Sequence, residues 1–329
     1  MNSKERQYYP IIDVLRLIFA LGVVSIHTMA FSSINENLRI ATSMGICRIA
    51  VPFFFLVSGY FLYDRIQEKS EPKSTLKKLL ILYIAWISIE LITLFPTVLN
   101  YLNSPMFIIR RLLLVGVTGS LWYISSLILS IFLISKLLKN DKILFLIIIG
   151  MLLYLFGITG DTYYGLFNNI LIDDYSSMFF LPQIGITESI LFISLGAAIN
   201  KYKLNKKFNF PGILAIISII ILLIETFILN KTGIAKDANM YLSTIIVAPL
   251  ILIWALNYKK NNISSEFSKT CKEYSIGIYC SHQILMIWIT ILLPTLASNS
   301  MIKFILTLML SIIVVTFIRK TKLKTLLLK

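Results

Sequence analysis

The stretch DVLRLIFALGVVSIHTMA, residues 13–30, is apolar enough to cross a lipid bilayer, although it carries Asp13, Arg16 and His27. Similar apolar stretches recur along all 329 residues, of which 57% are hydrophobic and only 14% charged. A soluble domain has roughly 25% charged residues, so lipid is the expected solvent for most of this chain. The sequence therefore predicts an all-α, polytopic integral membrane bundle.

A membrane-spanning helix needs about 20 mostly apolar residues. Ten stretches come near that length: 10–31, 42–63, 76–98, 119–138, 142–159, 184–200, 211–230, 239–257, 274–294 and 301–318. The sixth is short, so a count of eight to eleven spans is compatible with the pattern. Residues 160–183 form the longest predicted connection. We expect one transmembrane domain over residues 1–329, without a soluble extension.

The basic residues predict how the spans are oriented. If the N-terminus is cytoplasmic, 23 of the 31 Lys and Arg residues fall in inner segments and 6 in outer loops. This excess matches the enrichment of cytoplasmic loops in basic residues. We therefore predict cytoplasmic termini and a multi-pass protein of a cell membrane, with a bacterial plasma membrane expected. The net charge of +15 is explained in the same way, so no nucleic-acid partner is predicted.

Arg16 and His27 are the most informative polar residues within the spans, because charged groups near the bilayer centre normally mark a pathway or a site. Eleven residues are close to three helical turns, so both side chains share a face, about 16 Å apart along the axis. Asp13 lies on the same face. The predicted orientation puts Arg16 towards the cytoplasmic leaflet and His27 towards the outer one, as in the wall of a polar passage.

Other polar residues in the spans have structural as well as functional interpretations. Glu90 is either a partner for Arg48 or a functional group, and His282 is either a structural hydrogen-bonding residue or part of a site. Glu225 is expected to extend towards the outer headgroups, and Glu188 to lie among the headgroups at the start of the short sixth span. The three cysteines have no C-x-x-C spacing, so neither a disulfide framework nor a metal site is predicted.

Four motifs in this order resemble the acyltransferase-3 family of integral membrane acyltransferases. They are DVLRLIFALGVVSIH with its Asp-x-x-Arg-x10-His pattern, RIAVPFFFLVSGYFL, GSLWYISSLIL and YSIGIYCSHQIL. Arg48, Pro52 and the stretch INENLRI are similar to the branch that contains the membrane domain of vancomycin-resistance serine racemases. In that branch a soluble racemase domain follows the membrane part. Because the sequence stops after IRKTKLKTLLLK, racemase activity is not expected.

The resemblance implies an enzyme that O-acylates a hydroxyl of a cell-envelope glycan or lipid-linked sugar. The implied donor is a cytoplasmic acyl-CoA, in particular acetyl-CoA, which acts as a co-substrate, with no permanently bound cofactor. The family's Arg and His correspond to Arg16 and His27. Arginine suits the phosphates of coenzyme A, and histidine suits a general base near neutral pH.

These considerations assign the following roles. The catalytic residues are His27 and Arg16. The donor is bound by Asp13, Arg16 and Ser58. The acceptor or oxyanion side is formed by Arg48, Trp122, Tyr123 and His282. Trp122 and Tyr123 have an equally good interpretation as part of an interfacial aromatic belt. For Gly59, close helix packing is the favoured role. The alternative function is a transporter of a small polar solute such as serine, with Asp13, Glu90 and Glu188 as proton relays.

Overall fold

The computed structural model describes residues 8–68, 72–95, 104–258 and 263–328, and within these ranges it is helical, with no strand. The helices are α1 (Pro10–Thr28), α2 (Glu36–Gln67), α3 (Pro72–Thr93), α4 (Pro105–Leu114), α5 (Trp122–Lys139), α6 (Ile143–Ile158), α7 (Ile170–Phe179), α8 (Ser189–Lys201), α9 (Pro211–Lys231), α10 (Thr244–Asn257), α11 (Ser265–Leu292), α12 (Ser300–Arg319) and α13 (Lys324–Leu327). The predicted all-α class is confirmed.

Each of the ten predicted spans contains one of these helices. Six of them, α1, α2, α5, α9, α11 and α12, are long and apolar enough to cross a membrane. The helices α6, α8 and α10 are apolar but shorter, with 16, 13 and 14 residues. The protein is therefore a multi-pass membrane protein, while the count of ten spans and the orientation of the termini stay predictions.

Several helix boundaries differ from the predicted ones. α2 begins at Glu36 rather than at residue 42, and it passes through a π-helical turn at Ile40–Gly45 and a 3-10 turn at Ile46–Ile49. α11 begins nine residues earlier than predicted, because the side chain of Ser264 caps it by accepting from the Phe267 amide at 3.1 Å. Residues 96–98, the end of the third predicted span, lie outside the described residues.

The two longest predicted connections contain the short helices α4 and α7. Arg110 of α4 donates to the carbonyl of Ser177 at 3.0 Å, and its guanidinium lies 4.7 Å from the ring centre of Phe180. These contacts hold α4 against the end of α7. The predicted connection over 160–183 thus contains a helix, which begins where the Asn169 side chain accepts from the Leu171 amide at 3.1 Å.

The centre of the bundle depends on backbone contact between α2 and α8. A Cβ atom added at Gly59 would lie 2.0 Å from the carbonyl oxygen of Ile193, and one added at Gly196 would lie 2.0 Å from that of Leu56. Only glycine permits such an approach. The predicted packing role of Gly59 agrees with this geometry. α2 is the most buried of the six long helices, whereas α9 and α12 are the least buried.

Glu90 supports a loop and does not pair with Arg48. Its carboxylate accepts from the Val117 amide at 2.6 Å and from the Thr118 hydroxyl at 2.5 Å. Arg48 instead donates to Asn239. The suggested Glu90–Arg48 pair was therefore wrong, and Glu90 orders the turn that leads into α5.

Glu225 and Glu188 are two further carboxylates that were expected near the headgroups. Glu225 accepts from the hydroxyl of Tyr163 at 2.8 Å and from the amides of Leu242 and Ser243 at 2.8 and 2.9 Å. It therefore satisfies backbone amides at the start of α10. Glu188 is only 2% exposed, and the headgroup depth expected for both residues stays a prediction.

Candidate active site

Arg16 is held by Asp13 at the start of α1. The guanidinium Nη1 donates to Asp13 Oδ1 at 2.8 Å, while the Ser268 hydroxyl of α11 donates to Asp13 Oδ2 at 3.1 Å. Asp13 is 6% exposed, and the Arg16 side chain keeps 21% of its surface accessible. The buried carboxylate thus fixes the direction of a cation that remains reachable.

Arg16 faces a cavity of about 600 Å³, which is within the size range of small-molecule sites. Ser58 also lines it, as do three more cations: Arg65, Lys203 and Lys272. Asp13, Asp64 and Glu68 balance part of this charge. Lys272 lies in the fields of Arg16 and Arg65. The four cations outnumber the three carboxylates, so the lining is cationic overall and suited to an anionic ligand.

A short series of contacts leads from the cavity into the bundle. The Tyr123 hydroxyl lies 3.2 Å from the Ser58 hydroxyl. The Tyr123 ring packs edge-on against Tyr279, with ring centres 5.7 Å apart. Tyr279 donates to the Ser120 carbonyl at 2.5 Å, and its ring centre is 6.1 Å from that of His282. Tyr123 therefore joins the cationic cavity to the neighbourhood of the histidines.

The chain's two histidines lie side by side, with ring centres 5.1 Å apart. His27 comes from α1 and is half-buried, whereas His282 comes from α11 and is fully buried. The Nδ1 atom of His282 lies 2.6 Å from the Tyr279 carbonyl oxygen and 3.2 Å from that of Ile278. Within the described part of the chain, the Nε2 atom of His282 has no hydrogen-bond partner.

Arg48 lies near enough to His27 to contribute to its electrostatic environment. Its Nη1 donates to Asn239 Oδ1 at 2.5 Å, and the Asn239 amide donates to Asp161 at 2.9 Å. Met240 also donates its amide to Asp161, at 2.5 Å. Burial raises the pKa of Asp161 to about 8, and the Met240 amide and the Arg48 charge oppose this rise. The buried carboxyl group of Asp161 therefore holds Asn239, and Asn239 in turn positions Arg48.

The predicted site residues fall into two groups joined by Tyr123. Asp13, Arg16 and Ser58 line the cavity, whereas His27, His282 and Arg48 lie deeper in the bundle. The predicted Trp122 is partly buried against the apolar core, and among the described residues its ring makes none of the aromatic contacts that join Tyr123 to Tyr279. Sequence reasoning missed Asp161, Asn239, Tyr279 and the three further cavity cations. Asp161 carried a weak signal, as an acidic residue next to an apolar span.

The fold and the site together define a multi-pass membrane protein with a cationic cavity and an internal polar centre. The chain belongs to the acyltransferase-3 family, since the family model described as an acyltransferase domain matches residues 9–320. It is a membrane protein of the acyltransferase type.

The chain is also similar to three curated enterococcal proteins. It is 30% identical over 258 residues to a serine/alanine racemase of Enterococcus gallinarum. The aligned region covers 74% of this chain and 37% of that protein. It is 26% identical over 345 residues to an amino-acid racemase of Enterococcus faecalis, covering 95% and 46%. A second amino-acid racemase of Enterococcus faecalis is 28% identical over 266 residues, covering 77% and 36%. The chain spans less than half the length of these relatives. No solved structure matches it.

Proposed function

We propose that this protein transfers an acyl group, in particular acetyl, from cytoplasmic acyl-CoA to a hydroxyl of a cell-envelope glycan or lipid-linked sugar. The observation that carries the proposal is the series of contacts from the cationic cavity, through Ser58 and Tyr123, to the two histidines. A donor bound in the cavity would have its thioester directed towards His27.

The cavity supplies what the donor's phosphates need. Arg16 offers a forked pair of N–H donors, and its ion pair with Asp13 keeps that fork in one direction. The additional cations Arg65, Lys203 and Lys272 are arranged around the same space. All of them belong to segments predicted to be cytoplasmic, which is the side from which acyl-CoA arrives.

His27 acts as the general base. One of its ring nitrogens takes the proton of the acceptor hydroxyl while the oxygen attacks the thioester carbonyl carbon. A new C–O bond forms, the C–S bond breaks, and the proton passes from His27 to the departing thiolate. The products are the ester and free coenzyme A.

The attack places negative charge on the carbonyl oxygen, which needs a donor nearby. The Tyr123 hydroxyl is one candidate, because it stands between the cavity and the histidines. Arg48 is the second, because its charge reaches His27 and its Nε atom has no partner within the described ranges. Both assignments belong to the proposal.

Transport of a small polar solute such as serine is the competing function. Two of its three suggested proton relays have structural roles instead, because Asp13 holds Arg16 and Glu90 holds the turn before α5. Glu188 is buried in the fields of Asp161 and Arg48 and remains the one acidic group that fits this function. The racemase names of the relatives make serine the solute to test.

The test uses purified protein in liposomes. Radiolabelled acetyl-CoA and soluble cell-wall glycan fragments are supplied, and labelled serine is supplied in a parallel sample. We expect label in the glycan and release of free coenzyme A, with no serine uptake above empty liposomes. Serine uptake without coenzyme A release would overturn the acyltransferase proposal.

A further inference from the structure

The atoms around His282 indicate which of its ring nitrogens carries the hydrogen. A neutral imidazole carries one N–H and one lone pair. Its Nδ1 atom faces two carbonyl oxygens, those of Tyr279 at 2.6 Å and Ile278 at 3.2 Å. Carbonyl oxygens only accept, so Nδ1 holds the hydrogen and Nε2 holds the lone pair. A doubly protonated ring would leave a buried N–H and a charge without a partner, which is strongly unfavourable.

The lone pair on His282 Nε2 is therefore a buried acceptor that lacks a donor among the described residues. Leaving such an acceptor unsatisfied costs free energy. The neighbouring ring is His27, with its centre 5.1 Å away. Two imidazole rings at this separation can form a nitrogen–nitrogen hydrogen bond when the N–H of one points at the lone pair of the other. The geometry thus offers His282 one donor, the N–H of His27.

We propose that His282 is a positioning residue for His27, and this rests on the proposed acyltransferase function. His282 Nε2 accepts the hydrogen of one His27 nitrogen, which fixes the tautomer and leaves the lone pair on the other His27 nitrogen. When His27 takes the proton of the acceptor hydroxyl, the resulting positive charge is shared with His282. The proton then leaves with the thiolate, and His282 never exchanges it with the substrate.

The difference in burial decides which histidine is the base and which one orients it. His27 keeps part of its surface accessible, whereas His282 is fully buried, and its Nδ1 is committed to the backbone of α11. A base must reach the proton that it removes. His27 is therefore the base and His282 the group that orients it, much as a buried partner orients the histidine of a hydrolase triad.

The pair is first tested in the wild-type protein, without any substrate. The chain has only two histidines, so ¹⁵N-histidine-labelled protein in nanodiscs, purified with a histidine-free tag, gives two imidazole signals. We expect one ring with hydrogen on Nδ1 and a bare Nε2, and a second ring with a hydrogen-bonded N–H. The second ring should lose that bond in His282→Asn. Hydrogen on Nε2 of His282, or an unchanged His27 signal in the variant, would overturn the pairing.

Two substitutions then separate positioning from structure. His282→Asn keeps a donor near the backbone carbonyls but removes the acceptor, whereas His282→Gln places an amide oxygen near the former Nε2. For acetyl transfer to cell-wall glycan fragments, we expect a loss in kcat of about 100-fold for His282→Asn. His282→Gln should stay within about tenfold of wild type, with KM for acetyl-CoA unchanged in both.

Equal losses in the two variants would show a purely structural role and overturn the inference. A larger loss in His282→Ala than in His27→Ala would reverse the assigned roles and also overturn it. If the wild-type protein releases no coenzyme A, the proposed function fails, while the imidazole signals still decide whether the two histidines are paired.

Discussion

The hydroxyl of Tyr123 lies 3.2 Å from that of Ser58, so a residue of α5 contacts one of the side chains that line the cavity. The Tyr123 ring also contacts Tyr279, whose ring neighbours His282. This contact joins the part of the molecule suited to an anionic donor with the part suited to base catalysis. It makes Tyr123 the first residue to test.

Tyr123→Phe removes the hydroxyl and keeps the ring packed. If the hydroxyl stabilises the developing oxyanion, kcat for acetyl transfer falls about 100-fold, and the free energy of unfolding falls by about 1 kcal/mol. Steady-state kinetics and thermal unfolding in nanodiscs measure the two effects. Tyr154→Phe is the matched control, since the Tyr154 hydroxyl bonds Tyr241 and Thr244 elsewhere and should affect stability alone. Unchanged kcat in Tyr123→Phe would remove Tyr123 from the mechanism.

Arg16→Ala should raise KM for acetyl-CoA far more than KM for the acceptor, because the guanidinium faces the cavity and not the histidines. Arg16→Lys keeps the charge but loses the fork, so an intermediate rise of about tenfold is expected. Arg319→Lys is the control, because Arg319 pairs with Glu273 and does not line the cavity. Equal losses for donor and acceptor would assign Arg16 a structural role only.

Asp13→Asn tests whether the buried carboxylate acts through Arg16. Without the charge at 2.8 Å, the guanidinium is free to reorient. KM for acetyl-CoA should rise about tenfold with little change in kcat. Combining Asp13→Asn with Arg16→Ala should add almost nothing to the single Arg16→Ala effect, because both act through one group. Additive effects in this double-mutant cycle would contradict the account.

Gly59→Ala and Gly196→Ala test the close approach of α2 and α8. Each new Cβ would lie 2.0 Å from a backbone oxygen, so the helices must separate, at a cost of about 1–3 kcal/mol or more. Gly22→Ala is the matched control, because its new Cβ would meet the Cys47 sulfur at 3.3 Å, a side chain that can rotate. Thermal unfolding in nanodiscs should show a large fall in the unfolding temperature for Gly59→Ala and Gly196→Ala and a small fall for Gly22→Ala.

Much of the helical fold could be predicted from the sequence, because long apolar stretches have few alternatives in a bilayer. The residues at which α8 and α10 begin were harder to predict from the sequence. Glu225 caps α10 from 17 positions away along the chain, which no local pattern reveals. The non-α-helical turns in α2 were equally hidden, because π and 3-10 turns have no distinct hydrophobic period.

The candidate site was predictable where one helix face carried it. Arg16 and His27 share α1, so their spacing was readable from the sequence. The contact between His27 and His282 depends on how α1 packs against α11, and 255 positions separate the two residues. Asp161 and Asn239 meet mainly through backbone amides, and backbone contacts leave no trace in residue types.

The most direct measurement is acetyl transfer by His27→Ala in liposomes, followed as coenzyme A release with glycan fragments as acceptor. Removing the general base should lower kcat by about 100-fold or more, while acetyl-CoA binding, measured separately by equilibrium titration, stays at the wild-type level. Cys280→Ala, a buried substitution on α11 outside the proposed chemistry, should retain transfer. Transfer that persists unchanged in His27→Ala would contradict the central claim that His27 activates the acceptor.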